Sequence, residues 1–331
     1  MSELRRDPIH QRWIVVLGQT WDAVARRLAH AHGPSPGPCP FCPGHEGLTP
    51  PEVFALRNPG SRPNEAGWTV RVVPNKFPFL RIDEELARTA EGIYDRVAGS
   101  GAHEIVIESP SHAHDWNGLG AKAITQILQV YRERIRSLPG DSRLRSTIVA
   151  RNYGPGLAVL PHPHSHIVAL PVVPRRIAEE LRNTREYHHR KERCVFCDTV
   201  REERADGRRL IGEQGPFVAF VPYAARYPLE FWFLPTRHAH DFGTTADEEL
   251  PALAELLCAT VRRLHILLPH PAYSMVLHSS PFGAHSEARY HWHIELRVRL
   301  PLAEGFEWGT GLFVNPVAPE AAARLLRDIT P

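Results

Sequence analysis

Two cysteine pairs with the same internal spacing constrain the fold of this chain more than any other feature. They are Cys39-Pro40-Phe41-Cys42 and Cys194-Val195-Phe196-Cys197. Each pair is followed, in the same order, by a strand that ends near a histidine, an amphipathic helix, and a strand that begins with histidines. Because such an order rarely arises twice by chance, it indicates an internal duplication.

The repeated residues are the ligand types that Zn²⁺ prefers. Two thiolates separated by two residues can bind one ion, and histidines from elsewhere in the chain complete a tetrahedral site. In a cytosolic protein such pairs indicate metal or redox sites rather than disulfides, and neither pair lies in a thioredoxin-like βαβ pattern. We therefore predict two structural zinc ions per chain. The predicted ligand sets are Cys39, Cys42, His112 and His162, and Cys194, Cys197, His238 and His291.

The histidine-rich stretch at residues 160–170 supplies a candidate reactive group. His162, His164 and His166 alternate and then enter an apolar run, which is typical of a buried strand with all three imidazoles on one face. Burying three titratable rings is costly unless a metal, a phosphate or a hydrogen-bond partner pairs with them. If His162 binds zinc, His164 is left free for chemistry. The alternative is an edge strand with solvated histidines, which Pro163 favours.

The periodicity of the remaining chain predicts an α+β fold with two copies of one unit, each an antiparallel sheet with helices packed on it. We predict strands at residues 12–17, 70–73, 103–108, 146–151, 217–221, 229–234, 273–277 and 291–296, and core helices at 124–138 and 250–264. The predicted organisation is an N-terminal domain over residues 1–173, a charged helical linker over 174–193 and a C-terminal domain over 194–331.

Charge and hydrophobicity limit the possible partners. The net charge is +2 with neutral histidine, which argues against a nucleic-acid-binding protein. We expect the arginines at positions 132, 134 and 136 to be solvated on the polar side of their helix. No run of about 18 apolar residues occurs, and the first residues carry no apolar signal core. The sequence therefore predicts a soluble, cytoplasmic protein that binds neither a membrane nor nucleic acid.

Several short motifs, together with these features, resemble the galactose-1-phosphate uridylyltransferase family, the transferase branch of the histidine-triad superfamily. Besides the first cysteine pair, they lie at residues 73–78, 109–112, 162–166, 221–223, 235–238 and 305–311. The second cysteine pair and residues 305–311 are more similar to the ADP-glucose phosphorylase branch. The resemblance covers nearly the whole chain.

The resemblance implies two fused histidine-triad domains, a homodimer, and double-displacement transfer of a nucleoside monophosphate from a nucleotide sugar to phosphate or a sugar 1-phosphate. It implies that His164 is the nucleophile and that His166 hydrogen-bonds the transferring phosphate. The implied substrate-binding residues are Phe41, Asn75 and Phe77 for the base and ribose, Asn152, Gly154 and Gly156 for the phosphates, and Glu307 in the last motif. On sequence alone, Asn75 and Phe77 are also compatible with a strand-end turn and a core aromatic.

Three features keep alternatives open. Some galactose-type enzymes use a glutamate and histidines at the second metal site, for which this chain offers Glu180, His278, His291 and His293. His166 replaces the glutamine of the transferases, as in histidine-triad hydrolases. Residues 301–304 lack the lysine expected before Gly305, which predicts that galactose 1-phosphate is a poor acceptor. A phosphorylase, a hydrolase of nucleotide sugars or dinucleoside polyphosphates, and a zinc-stapled nucleotide-binding protein remain alternatives. The intact His164 favours an enzyme.

Overall fold

A ten-stranded antiparallel sheet organises the part of the chain that the structure describes. The structure is a computed structural model that describes residues 2–6, 13–16, 38–112, 115–158, 160–299 and 305–330. The strands in chain order are β1 (Glu3–Arg6), β2 (Trp13–Val16), β3 (Phe54–Arg57), β4 (Trp68–Pro74), β5 (Arg88–Glu91), β6 (Tyr94–Ala98), β7 (Ala102–Ile107), β8 (Ser146–Tyr153), β9 (His164–Leu170), β10 (Leu210–Gln214), β11 (Phe217–Phe220), β12 (Glu230–Pro235), β13 (Tyr273–His278) and β14 (His293–Val298).

The described residues form six α-helices: α1 (Trp116–Ser137), α2 (Arg175–Lys191), α3 (Val195–Asp206), α4 (Leu250–Leu267), α5 (Gly305–Thr310) and α6 (Pro319–Arg327). Helices α1 and α4 carry the apolar stripes that the sequence predicts. Helix α2 occupies the segment predicted as the linker. None of these helices is long and apolar enough to span a membrane.

The strand order of the large sheet repeats between the two halves of the chain. The N-terminal half contributes β3-β4-β7-β9-β8 and the C-terminal half contributes β10-β11-β12-β14-β13, so the two orders match strand for strand. The α+β fold with duplicated antiparallel units is thus confirmed. The two half-sheets are not separate, because β8 pairs with β13 from Tyr153 opposite Tyr273 to Ile148 opposite His278. One continuous sheet therefore joins both halves.

The two long helices cover one face of this sheet. Apolar residues of α1 and α4, among them Ile127, Tyr131, Leu253 and Leu257, are completely buried in one core. The hydroxyl of Tyr131 donates to Ser165 Oγ at 2.7 Å, which shows that Ser165 of β9 faces the helices. Since side chains alternate along a strand, the neighbours of Ser165 face the opposite side of the sheet.

The opposite face of the N-terminal half is covered by the loop that carries the first cysteine pair. Phe41 from this loop packs with Trp68, Val73, Ile105 and Ile107 in a small second core. A separate four-stranded sheet has the order β2-β1-β6-β5, and its Leu4 and Val97 pack with Leu80 against Val168 and Leu170 of β9. Only residues 13–16 of the predicted strand at 12–17 lie within the described residues, and they form β2.

Two local expectations differ from the structure. Strand β9 begins at His164, so that His162 lies just before it; Pro163 has no N–H with which to extend the ladder. The arginines of α1 are not all solvated. Arg132 is only 4% exposed and donates to Asp247 and to the carbonyl of Thr245, since the C-terminal half packs against this side of the helix.

Candidate active site

His164 is held in one orientation at the start of β9. Its Nδ1 lies 2.7 Å from the carbonyl oxygen of His162. Because a carbonyl oxygen can only accept, Nδ1 carries the proton and Nε2 keeps its lone pair. The ring is 7% exposed, and its centroid lies 5.4 Å from that of Phe41. The nitrogen with the lone pair is therefore fixed by the backbone and sheltered by an aromatic wall.

Burial keeps this imidazole neutral. Removal from water disfavours the charged form and lowers the pKa of His164, while the hydrogen bond to the His162 carbonyl partly opposes that shift. A neutral imidazole near pH 7 is a nucleophile, whereas its protonated form is not. The arrangement thus suits covalent catalysis.

His166 lies beside His164 and contacts a histidine from the neighbouring strand. The ring centroids of His164 and His166 are 5.3 Å apart. His166 Nδ1 lies 3.0 Å from Nε2 of His103 in β7. The amide nitrogen of Asn75 is 3.1 Å from the same nitrogen of His103, and Asn75 Oδ1 accepts from the main-chain N–H of Phe77. Asn75 is therefore part of this cluster, whereas the Phe77 side chain is 82% exposed.

The predicted phosphate-binding turn follows β8. Ala150 is paired with His166 across the sheet, so Asn152, two residues further, lies on the histidine face. Its Oδ1 accepts from Ser274 Oγ at 2.8 Å. Gly154 has a φ of 94°, and a Cβ there would lie 2.7 Å from Ala272 Cα. Gly156 has open space around it. The close passage of residue 272 is thus a structural reason for glycine at position 154.

Glu307 lies in α5, in the C-terminal part of the chain. Its side chain is half-buried, and its Oε2 has no hydrogen-bond partner among the described residues. Residues 301–304, which the sequence links to acceptor choice, lie outside the described residues. The structure thus brings Asn75 and Asn152 to the face of the sheet that carries His164 and His166, whereas none of the described hydrogen bonds joins Glu307 to them.

The first predicted metal set converges on one point. The ligand atoms of Cys39, Cys42, His112 and His162 all lie within 4.8 Å of one another. His162 Nδ1 is 3.7 Å from both sulfur atoms, and His112 Nδ1 is 3.5 Å from Cys42 Sγ. A tetrahedral zinc ion with Zn–S near 2.3 Å and Zn–N near 2.0 Å requires an S···N separation of about 3.5 Å. The donor set therefore has the size of a zinc site.

The hydrogen bonds around His162 also fit a ligand. Its Nε2 donates to the carbonyl oxygen of Ser109 at 2.8 Å, which leaves the lone pair of Nδ1 directed at the cysteines. Burial lowers the pKa of His162 to about 4, so the ring is neutral as a metal ligand must be. The hydrogen bond to the Ser109 carbonyl therefore orients the His162 ring for binding a metal ion.

The second cysteine set is assembled less completely. Cys194, Cys197 and His238 lie within 4.8 Å of one another, and Cys197 Sγ is 3.3 Å from His238 Nδ1. His291 is not within that group, although its ring centroid is 5.5 Å from that of His238. Its Nδ1 is bonded to the carbonyl of Trp292, and its buried Nε2 has no partner among the described residues. Three of the four predicted ligands are brought together.

A third group of possible ligands lies next to the second. Glu180, His278 and His293 have ligand atoms within 4.8 Å of one another. The two imidazoles stack with centroids 4.6 Å apart, and Glu295 lies within 4.0 Å of both. The buried Nδ1 and Nε2 of His278 and Nε2 of His293 have no hydrogen-bond partner among the described residues. A cation held by this group would pair with these atoms.

Sequence reasoning did not identify His103 or Glu295 as site residues. His103 lies on the same strand face as Ile105, and Ile105 is paired with His166. Identifying His103 therefore requires the register of β7 against β9, which the sequence does not give. Glu295 belongs to the face that also carries His293, two residues earlier. The sequence signal that could have identified both residues is their alternation with apolar neighbours along each strand.

Two family models and several known proteins are similar to this chain. The family model described as galactose-1-phosphate uridyl transferase, N-terminal domain, matches residues 57–174, and the C-terminal domain model matches residues 180–326. An ADP-glucose phosphorylase from Arabidopsis thaliana is 31% identical over 99% of this chain and 93% of that protein. A galactose-1-phosphate uridylyltransferase from Thermotoga maritima is 28% identical over 99% of this chain and 98% of that protein. A crystal structure of an Arabidopsis thaliana ADP-glucose phosphorylase with bound ADP-glucose superposes with a TM-score of 0.79, covering 100% of both chains at 31% identity.

Proposed function

This chain belongs to the galactose-1-phosphate uridylyltransferase family as an enzyme of nucleotidyl transfer, and we propose that it carries the transferred group on His164. The proposed donor is a nucleotide sugar. The proposed acceptor is phosphate or a sugar 1-phosphate.

One observation carries the proposal: His164 Nδ1 donates to the His162 carbonyl, so that a neutral Nε2 remains unprotonated. Buried polar atoms are usually hydrogen-bonded, so an imidazole nitrogen that is held with a free lone pair at this sheltered position is suited to react with a ligand. The neighbouring groups support a phosphoryl site, because His166 and Asn152 share the same sheet face. Phe41 supports an adjacent base or ribose, because it forms an apolar wall beside the nucleophile.

The proposed reaction has two displacements. In the first, the lone pair of His164 Nε2 forms a bond to the α-phosphorus, and the bond from that phosphorus to the bridging oxygen breaks with its electron pair leaving on the sugar 1-phosphate. In the second, an oxygen of the acceptor phosphate attacks the same phosphorus, and the electron pair of the N–P bond returns to Nε2. No net proton is gained or lost by His164 in the cycle.

We propose that Zn²⁺ binds the set Cys39, Cys42, His112 and His162. With four protein ligands the ion stabilises the fold, because no coordination position remains for substrate. Its site lies two residues before the nucleophile in the chain, so bound zinc fixes the carbonyl of His162 that orients His164. For a second zinc ion we propose Cys194, Cys197, His238 and His291, and the alternative is Glu180, His278, His291 and His293.

A phosphorylase is the variant of this function that two observations favour. The Arabidopsis relative is named ADP-glucose phosphorylase, and its similarity spans nearly the whole chain. The chain also has the second cysteine pair in place beside His238. Hydrolysis is the other variant, since His166 stands where the transferases carry glutamine. Phosphate as acceptor and water as acceptor are therefore compared directly in the test.

We propose a homodimer as the active form. Four large apolar side chains in the C-terminal segment are 46–64% exposed, and they are Phe306, Leu312, Phe313 and Val314. Exposed apolar side chains clustered in one segment are typical of a surface that binds another chain. A second copy that covers this segment would remove them from water.

The test is mass spectrometry of the intact protein after separate incubation with UDP-glucose, ADP-glucose and a dinucleoside polyphosphate. We expect a mass increase of one nucleoside monophosphate with at least one nucleotide sugar. We expect this added mass to be lost faster on addition of phosphate than in phosphate-free buffer, where water is the only acceptor. The absence of an adduct with every donor would remove the covalent mechanism.

A further inference from the structure

A network of buried polar groups lies behind the histidine face, on the side of the sheet that the helices cover. Its centre is the carboxylate of Glu108, to which Arg151 Nε donates at 2.9 and 3.1 Å. The indole N–H of Trp116 donates to the same carboxylate at 3.0 Å, and the hydroxyl oxygen of Tyr131 lies 3.0 Å from it. Glu108 and Arg151 are each 1% exposed. The chemistry proposed for His164 uses none of these groups.

The network continues into the C-terminal half through Arg151. One terminal nitrogen of Arg151 donates to Asp115 at 2.6 Å, and the other donates to the hydroxyl of Tyr273 at 2.9 Å. That hydroxyl in turn donates to Asp115 at 3.0 Å. In the sheet, Tyr273 of β13 is separated from β9 by the whole of β8. The network therefore has one end near β9 and another end away from it.

Two contacts connect the near end to the chain on either side of His164. The main-chain N–H of Glu108 donates to the carbonyl of Pro163 at 3.1 Å. The hydroxyl of Tyr131 is hydrogen-bonded to Ser165 Oγ at 2.7 Å, and both side chains are completely buried. Pairing of this strand with β8 begins only at Ser165, one residue after His164. The position of the strand end that carries the nucleophile therefore depends on these two contacts.

We propose that Tyr131 is a positioning residue, which through Ser165 fixes the start of β9 and keeps His164 Nε2 directed at the phosphorus that it attacks. The inference rests on the proposed function for the step that Tyr131 supports. Burial and the charge of Glu108 raise the pKa of the Tyr131 phenol, so the hydroxyl keeps its proton near pH 7. A displacement of about 1 Å at a reacting atom can slow a reaction about a hundredfold.

Removal of single hydroxyls tests this contact while the ion pair of Arg151 and Glu108 stays in place. With UDP-glucose and, in parallel, ADP-glucose as donor and phosphate as acceptor, Tyr131→Phe and Ser165→Ala should each lower kcat about fivefold to twentyfold. KM should change by less than about twofold, because both side chains lie on the helix side of the sheet. The double variant should be no slower than the slower single variant, since both changes remove the same contact.

Tyr273→Phe is the matched control. It removes one completely buried hydroxyl from the same network, and it should lower the melting temperature about as much as Tyr131→Phe does. Its kcat should stay within about twofold of the parent, because Tyr273 does not contact β9. Equal losses of kcat in Tyr273→Phe and Tyr131→Phe would show that the network acts only through stability, and would overturn the positioning role.

Hydrogen exchange provides a measurement that needs no substrate. In the zinc-loaded full chain, the amides of residues 164–166 should exchange faster in Tyr131→Phe and Ser165→Ala than in the parent or in Tyr273→Phe. Unchanged exchange at these amides, or an unchanged kcat in Tyr131→Phe, would overturn the inference. If the parent forms no adduct on His164 with either nucleotide sugar, the proposed function fails and the catalytic role of Tyr131 fails with it. The exchange rates then still decide whether Tyr131 holds the start of β9.

Discussion

His293 occupies in the C-terminal half the position that His164 occupies in the N-terminal half. Each is the first residue of its strand, and each has Nδ1 bonded to the carbonyl of the histidine two residues earlier, at 3.2 Å and 2.7 Å respectively. Each ring lies beside the phenylalanine of the nearby cysteine pair, with centroids 5.2 Å and 5.4 Å apart. His293 is also stacked on Trp232 and His278 and is 0% exposed. The duplication thus created two equivalent histidine positions, and the packing of Trp232 and His278 against His293 leaves the second one inaccessible.

We therefore predict that the nucleotidyl adduct forms at one position only. Peptide mapping after incubation with a nucleotide sugar should find the group on the peptide that contains His164 and none on the peptide that contains His293. A His293→Gln variant that retains its folded near-UV spectrum should still form the adduct. An adduct on His293, or its loss in folded His293→Gln, would contradict the assignment.

The metal content should follow the duplicated cysteine pairs. Metal analysis of purified protein is expected to find about two zinc ions per chain, one for each four-ligand set. Cys39→Ser should remove one ion and Cys194→Ser the other, because a tetrahedral site with three ligands binds much more weakly. Glu180→Gln is the matched control and should leave both ions bound.

The opposite result would assign the second ion to the other group of ligands. If Glu180→Gln removes one ion while Cys194→Ser does not, then Glu180, His278 and His293 hold it with His291. A protein that contains one ion, lost in Cys39→Ser and kept in Cys194→Ser, would leave the C-terminal half without a metal.

Much of the site follows from sequence because its chemistry depends on residue types with few other uses. The order of cysteine pair, strand-end histidine and histidine strand predicts the first four-ligand set, whose ligand atoms meet within 4.8 Å. The alternation of His164 and His166 predicts a shared face, and the rings lie 5.3 Å apart. Apolar periodicity likewise predicts the positions of α1 and α4.

The rest depends on pairing between distant segments. The join between β8 and β13 unites the half-sheets, but no periodicity within either strand specifies its partner. Strand β5 has four exposed residues and therefore no apolar alternation to indicate a strand. The contact between His103 and His166 requires the register of β7 against β9, and the burial of Arg132 requires its contact with Asp247 of the other half.

Stability should decrease below pH 6.5 because two histidines, the buried His103 and the half-buried His166, stay neutral in the folded protein. Their folded-state pKa values, about 4 for His103 and about 3 for His166, lie below the unfolded value of about 6.5. Between these values the unfolded chain binds protons that the folded chain does not, so the free energy of unfolding falls as the pH falls. Each group should contribute about 2 kcal/mol of this loss between pH 7 and pH 5.

Urea denaturation of the parent protein and of His166→Gln at several pH values isolates the contribution of His166 to this loss of stability. His166→Gln removes one titrating group, so its free energy of unfolding should fall by about 2 kcal/mol less than that of the parent between pH 7 and pH 5. Loss of zinc at low pH affects both proteins and cancels in the difference. Equal losses in parent and variant would show that His166 is not held neutral.

Galactose 1-phosphate should be a poor acceptor. Residues 301–304 read Pro-Leu-Ala-Glu and lack the lysine that the resemblance to the galactose enzymes leads us to expect before Gly305. Nucleotidyl-enzyme prepared with a nucleotide sugar should be discharged faster by phosphate than by galactose 1-phosphate, as measured by rapid quench. Turnover of UDP-glucose with galactose 1-phosphate at about 1–10³ per second, the usual range of enzymes, would refute this prediction.

The most direct test of the account is the covalent adduct in His164→Ala, measured together with zinc content and nucleotide binding. The attack on phosphorus needs a nucleophile that no neighbouring side chain replaces, so we predict no adduct and no turnover, with zinc and nucleotide binding unchanged. His162→Ala is the contrasting variant, and it should lose one zinc ion and several kcal/mol of stability because a ligand is removed. An adduct of unaltered yield in folded, zinc-loaded His164→Ala would contradict the central claim.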